Sequence, residues 1–410
     1  SGAGGNVTLD GEIERASIEL EGEQMDLDGP TPFKIAGGTL LLERAVLAGP
    51  RSRLELACSL DARGALSVSV DGEVPAALLA VVWPEGKPRG TVTASLAITG
   101  SPSDPRLTGT AGIRDGAIVL PGVPGDITDI AGTVALVGSE LRIDDLHFQL
   151  AGGEARCSGR VLLDPELELD ILVRAGGVPW KLLPRFSPIL AGDVRVSGRL
   201  DRLLISGELT VEDASFREQI NLNTLVLDKV FARERVAEES GNPITLNVGI
   251  LIPGTLDINT LPLRLQGRGK LRLVGTTQRL GLIGRVDALP GGEFELSNQR
   301  YEIDRATVTF TQPDRIDPAF DILARAWVDN VEVTVSAVGT LDRFTPTFSS
   351  NPPMSQTDII GLLSSGKRGD EGDPKSVAAA ASTFINGQLA SAVATRARSL
   401  LNVDQLRLDP

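Results

Sequence analysis

One histidine, two cysteines and one tyrosine are all that 410 residues contain of those three types. So little imidazole removes most routes to acid–base catalysis and to histidine-ligated metals. The single histidine, His147, lies in Leu146-His147-Phe148, where a solvent-facing strand position is the simplest reading. Cys58 and Cys157 occupy related contexts, Leu56-Ala57-Cys58-Ser59 and Ala155-Arg156-Cys157-Ser158. Several strands at ~4.8 Å each would hold the sulfurs tens of ångströms apart, beyond the ~7 Å Cα limit for a disulfide. Two free, mostly buried thiols are therefore expected, and they leave the redox compartment open. No run approaches the ~20 apolar residues that span a bilayer. No signal peptide is read in the opening, where Ser1-Gly2-Ala3-Gly4-Gly5 leads directly into strand pattern. The other end, Leu406-Arg407-Leu408-Asp409-Pro410, stops inside a strand-like alternation. Both ends read as cut, so a fragment of a longer protein is expected and the missing targeting signals say nothing of location.

Catalytic motifs are missing too. The chain has no G-x-S-x-G, H-E-x-x-H or C-x-x-C. Gly361-Leu362-Leu363-Ser364-Ser365-Gly366-Lys367 fits part of a phosphate-binding loop, but Arg368 stands where a Ser or Thr must hold magnesium. Gly366 as the residue ending a helix explains the stretch better. Asp370-Glu371-Gly372-Asp373 lacks calcium-loop spacing and reads as a solvated turn. Acidic pairs such as Asp144-Asp145 and Glu238-Glu239 fall on adjacent strand residues, which point to opposite faces and cannot share a reaction centre. Neither an enzyme, nor a metal, nor a cofactor is expected. The net charge of −14 argues against a nucleic-acid or anionic-membrane surface, which would want clustered Lys and Arg.

What the chain does have is aliphatic, strand-forming sequence. Hydrophobic residues make up 41% and charged ones 23%, globular values that exclude disorder, while 45 glycines and 25 prolines fall at turn-like intervals. The dominant period is two. Leu167, Leu169, Ile171 and Val173 alternate with Glu168, Asp170, Leu172 and Arg174. Leu263 and Leu265, then Leu271 and Leu273, do the same around Arg264 and Arg272. Val331, Val333 and Val335 alternate with Glu332 and Thr334, and Phe294 with Leu296 and Val308 with Phe310 repeat the spacing. This is the pattern of a mostly β protein with one apolar and one wet face.

Two stretches repeat each other. Val74-Pro75, Leu78-Leu79, Gly90, Gly100, Leu107-Thr108-Gly109 and Asp115 match Val178-Pro179, Leu182-Leu183, Gly192, Gly198, Ile205-Ser206-Gly207 and Asp213. Such repetition marks a modular, stacked architecture that acts through a long surface. Short helical turns are expected at Ala76–Val82 and Trp180–Leu183. Beyond residue 354 the pattern changes. Ser355 with Asp358 reads as a capping box opening a short helix, and Asp373-Pro374 opens a long one to Leu401 with Val377, Ala381, Phe384, Ile385, Leu389, Val393 and Leu400 on one face. The chain thus divides into repeated strand modules over 1–283, a further β domain over 284–353 and a helical end over 354–410.

The most specific stretch runs from Gly291 to Gly366. It reads Gly292-x-Phe294, Asn298, Tyr301-x-Ile303, Val308-x-Phe310, Asp317-Pro318 and Asp321-Ile322. It continues with Val331-x-Val333-x-Val335, Gly339-Thr340-Leu341, Pro346, Ser349, Pro352-Pro353 and Asp358-Ile359-Ile360. In this order it resembles the C-terminal domain of the TamB family, the inner-membrane component of the translocation and assembly module in the AsmA-like group. The earlier Ser103-Asp104-Pro105-Arg106-Leu107-Thr108-Gly109 resembles that family's strand repeats. The resemblance implies an elongated, curved, taco-like sheet with an open apolar groove and C-terminal α-helices. It implies the periplasmic part of an inner-membrane-anchored Gram-negative envelope protein. The implied partners are phospholipid and an outer-membrane barrel of the BamA/TamA type, engaged through an end missing here. The fifteen apolar residues named above, from Leu167 to Val335, are the expected lining of that groove. Carriage of acyl chains is one reading, a chaperone that offers a strand edge to nascent barrels a second, and a surface adhesin a third.

Overall fold

The computed structural model describes residues 8–81, 86–119, 125–163, 167–180, 188–216, 244–260, 263–296, 299–340 and 344–365. The long helix from Pro374, the charged loop after Gly366, the last Leu406–Leu408 strand, Asn298, Glu238-Glu239 and the turn at Trp180–Leu183 beyond Trp180 lie outside them. The described residues form 23 strands, one 3-10 turn and one α-helix. The mostly β expectation therefore holds. The chain falls into two compact units, residues 1–178 with 195–203, and 179–194 with 204–410.

The first unit opens with β1 (Thr8–Ile13), β2 (Ser17–Leu20), β3 (Glu23–Leu27), β4 (Thr31–Ala36) and β5 (Thr39–Ala48). β1 pairs with β4, β2 with β3, and β3 with the end of β5, all antiparallel. Glu23 anchors this start although it is a buried acid. The Arg51 backbone N–H and the Ser52 hydroxyl donate to its Oε1 at 3.0 and 2.9 Å, and the Arg51 guanidinium donates to Oε2 at 3.0 Å. The Arg51 N–H first, then the Ser52 hydroxyl, hold its carboxyl below the ordinary glutamate range.

A meander follows: β6 (Arg53–Leu60), β7 (Leu66–Pro75), β8 (Arg89–Ser101), β9 (Asp104–Ile118), β10 (Ile127–Val137), β11 (Glu140–Leu150), β12 (Gly153–Leu162) and β13 (Glu168–Pro179). Each strand pairs antiparallel with the next. The 3-10 turn Ala76–Val81 lies after β7, where one was expected. Because side chains alternate across a strand, this register fixes what each face carries. One row reads Leu56, Val70, Leu96, Gly109, Leu136, Leu141, Val161 and Leu169 across the eight strands. The next reads Leu54, Gly72, Ala94, Ala111, Val134, Ile143, Gly159 and Ile171. Both rows are apolar from end to end. The intervening residues give Asp71 opposite Ser95, Ser95 opposite Thr110, Ala135 opposite Arg142 and Arg160 opposite Asp170. The two faces are sorted by register.

Two glycines in the second row explain how the strands pass each other. Gly72 has φ +154°, and a β-carbon there would come 2.0 Å from the Arg53 carbonyl oxygen; Gly159 has φ +148° and the same atom would come 2.1 Å from that of Asp170. Only glycine tolerates that backbone and that approach, as at strand bends elsewhere.

The repeat seen in sequence is a repeat of strands. β14 (Ile189–Arg199) and β15 (Arg202–Phe216) follow β13 as β8 and β9 follow β7. Gly100 and Gly198 both close against the carbonyl of a hairpin partner, Asp104 and Arg202. The Gly90–Gly192 equivalence fails. Gly90 sits at the start of its strand against Asp115, whereas Gly192 faces Glu208, because the loops before the two strands differ in length.

In the second unit β15 pairs parallel with β16 (Thr245–Thr260). Then come β17 (Leu263–Thr276), β18 (Arg279–Ala288), β19 (Gly292–Leu296), β20 (Gln299–Gln312), β21 (Pro318–Val328), β22 (Val331–Thr340) and β23 (Phe344–Asn351). β18 and β19 lie end to end between β17 and β20. β21, β22 and β23 extend the antiparallel order. Helix α1 (Gln356–Ser365) begins as its sequence dictates. The Asp358 N–H donates to Ser355 Oγ at 3.2 Å, and that hydroxyl donates to the Asp358 carboxylate at 2.6 Å.

Candidate functional site

The candidate site is the apolar face, and it differs from one part of the chain to another. In the first unit Leu56, Val70, Leu96, Leu136, Leu141 and Val161 are only half-buried. A tighter cluster centres on Ile127, Ile130, Val134 and Leu146. Of the expected lining residues here, Leu169, Ile171 and Val173 lie opposite Val161, Gly159 and Cys157 and are half-buried. Leu167, just before β13, is 40% exposed. A sheet face this apolar is ordinarily covered by a second layer. Among the described residues this unit offers no helix beyond the short turn Ala76–Val81.

In the second unit Leu271 lies between Ile250 and Gly284, and Leu273 between Val248 and Leu282. Leu265 faces Ile258 and Leu263 faces Phe294. These four leucines are half-buried. Their neighbours along β17, namely Arg264, Gln266, Arg268, Lys270 and Arg272, are exposed on the other face. Val308 is half-buried between Val286 and Phe320, and Phe310 is buried between Gly284 and Pro318. The Leu296 side chain lies outside the described residues.

Val331, Val333 and Val335 depart from an open lining. They are 1%, 0% and 5% exposed, in one cluster with Tyr301, Ala324, Ala326, Val328 and with Ile359, Ile360, Leu362 and Leu363 of α1. The short helix lies over them. Phe294 belongs at the margin of this cluster, its ring stacked on that of Tyr301 with centroids 4.7 Å apart. Sequence reading missed Tyr301 as a component. Its spacing to Ile303 marks the strand, but nothing local shows that its hydroxyl ends in an apolar cluster with no hydrogen-bond partner among the described residues. Burial pushes that phenol above its ordinary range.

Three ion pairs mark the wet face. Arg44 pairs with Glu55 at 2.8 Å, Arg114 with Glu73 at 2.7 Å and Arg195 with Asp170 at 2.9 Å. A shallow, open hollow of about 410 Å³ lies on that face among Arg142, Arg160, Asp170 and Arg195. His147 is exposed there, as expected, opposite Arg156. Asp144 and Asp145 do not split between faces. A register shift between Ile143 and Leu146 leaves both exposed. Both cysteines are free and half-buried. Cys58 on β6 and Cys157 on β12 are six strands apart, on the order of 29 Å along the sheet. Burial, then the Asp145 charge, raises the Cys157 thiol above its ordinary value. Among the described residues no group of three or more His, Cys, Asp or Glu is placed to hold a metal. No helix among them is long and apolar enough to cross a membrane.

Comparison with known proteins agrees with the geometry. No curated protein matches the chain. A family model, described as the TamB C-terminal domain, matches residues 144–410.

Proposed function

Since the chain belongs to the TamB family, a component of the Gram-negative envelope tied to outer-membrane protein assembly or lipid transport, we propose that its apolar sheet face carries phospholipid acyl chains. The protein acts as a non-enzymatic bridge, the periplasmic part of an inner-membrane-anchored protein, between inner and outer membranes. The observation that supports this is the half-buried state of the apolar rows in the first unit. Leu56, Val70, Leu96, Leu136, Leu141 and Val161 need a cover that the described residues do not supply. An acyl chain supplies one at about 0.8 kcal/mol per buried CH₂ and demands no polar contact. Headgroups then remain in water, at the edges of the face.

Native mass spectrometry and solvent extraction of the purified chain test the reading. Phospholipid should be recovered in a stoichiometric amount. A chain that folds fully, yields no lipid and takes up none from vesicles would falsify it.

A second reading, strand addition to a nascent outer-membrane barrel, draws on β23. Its only described pairing is to β22, so one edge offers backbone donors and acceptors. Photo-crosslinks from β23 to a barrel substrate would favour it. Crosslinks restricted to lipid analogues would count against it.

A further inference from the structure

We propose that α1 is a displaceable cover, which seals the C-terminal end of the second unit's apolar face in cis and opens to leave the floor of Ala324, Ala326, Val331 and Val333 free for a fatty acyl chain. The acyl occupant rests on the lipid-carrying reading above; the opening itself does not.

The first ground is contrast. Leu265, Leu271 and Leu273 on the same unit's apolar face are half-buried, whereas the floor beneath α1 is at most 3% exposed. The cover is local to the helix.

The second ground is how the helix is held. Ile359, Ile360, Leu362 and Leu363 sit in the cluster, while Gln356, Thr357 and Asp358 face water. Ten residues with Gly361 in the middle fall short of what holds a helix alone in water, where ~12–15 residues are already marginal. The segment is helical only while docked, so docking and helix formation are one two-state event. Apolar side chains can be exchanged for another apolar body without leaving a polar group unpaired.

The third ground is the defect in the closed state. The Tyr301 side chain is 1% exposed and its hydroxyl has no hydrogen-bond partner among the described residues. A buried donor without an acceptor disfavours the state that buries it, and buried polar groups so placed are rare. When α1 lifts, water reaches the hydroxyl and the defect is gone. The closed state therefore carries a built-in bias toward opening, while the stack on Phe294 keeps the ring in place in either state.

Hydrogen exchange in the 410-residue chain tests the sign of that bias. Tyr301→Phe keeps the ring and removes the hydroxyl, so amides of residues 356–365 should exchange on the order of tenfold more slowly than in the wild type. Equal or faster exchange in the variant would overturn the proposal. Vesicles of phosphatidylethanolamine bearing a photoactivatable acyl chain supply the second readout. Label should reach the Val331–Val335 peptide in the wild type and fall several-fold in Tyr301→Phe. Equal labelling alongside slower exchange would overturn the cover as a gate. Absence of label anywhere on the chain would sink the acyl occupant with the lipid reading, and the exchange comparison would still decide whether α1 opens.

Discussion

A β-carbon at position 159 has nowhere to go. The glycine lies mid-strand at positive φ with the Asp170 carbonyl oxygen 2.1 Å from where the atom would sit. Gly159→Ala should therefore lower stability by about 2 kcal/mol or more, from backbone strain plus separation of β12 from β13. Urea unfolding followed by circular dichroism reads this directly. Glu23 gives a prediction with a pH axis. Its carboxyl is held below the unfolded value of 4.5, first by the Arg51 N–H and then by the Ser52 hydroxyl. Its contribution is thus fully present above that value and is lost as pH falls through the lower folded value. Glu23→Gln should unfold at a lower urea midpoint than the wild type at pH 7. The gap between the two midpoints should narrow as the pH drops toward 3. A gap that stays constant down to acid pH would show that the carboxylate charge is not what anchors β3.

At the scale of elements, two substitutions separate sealed core from open face. Val333 is 0% exposed beneath α1, so Val333→Glu buries an unpaired carboxylate and should destabilise β22 and α1 by several kcal/mol. Leu265 is half-buried, and Leu265→Glu should leave the fold intact while reducing lipid recovered with the protein. Thermal melts and extraction on the same samples check both. Sequence could not have ranked these residues. Each sits in the same period-two pattern, and only the position of α1, more than twenty residues downstream of Val333, decides which is sealed. The elements themselves were plain to read. Alternation gave the strands, Ser355 and Asp358 gave the start of α1, and the repeat element after Val74-Pro75 gave the 3-10 turn. Register was harder, since it depends on turn lengths and bulges. That is why Gly90 and Gly192 looked equivalent and Asp144 and Asp145 looked separable.

For the whole molecule, the segregation of charge predicts how binding responds to salt. The pairs Arg44–Glu55, Arg114–Glu73 and Arg195–Asp170 lie on the wet face, and the rows proposed to hold acyl chains carry no charge. Raising ionic strength should therefore leave lipid occupancy unchanged or raise it slightly, as for any apolar contact. A steep fall with salt would point instead to headgroup recognition by arginines. The family was legible because it is written in local order over the stretch from Gly291 to Gly366, and the mostly β class because a period of two recurs along the chain. The cover on one end of the second unit's apolar face was not, because it arises from a contact between segments that no local pattern announces.

The parallel pair β15–β16 bears on how the chain folds. A meander grows by hairpins, each strand finding its partner a few residues away, so closure entropy stays small and pairing can follow the chain as it emerges. Between Phe216 and Thr245 that rule is broken, since β15 must wait for the chain to run on to residue 245 before its parallel neighbour exists. Until then its edge stands open to any other strand. An edge whose partner is made that much later is exposed to mispairing in the meantime, and a holding chaperone would matter there.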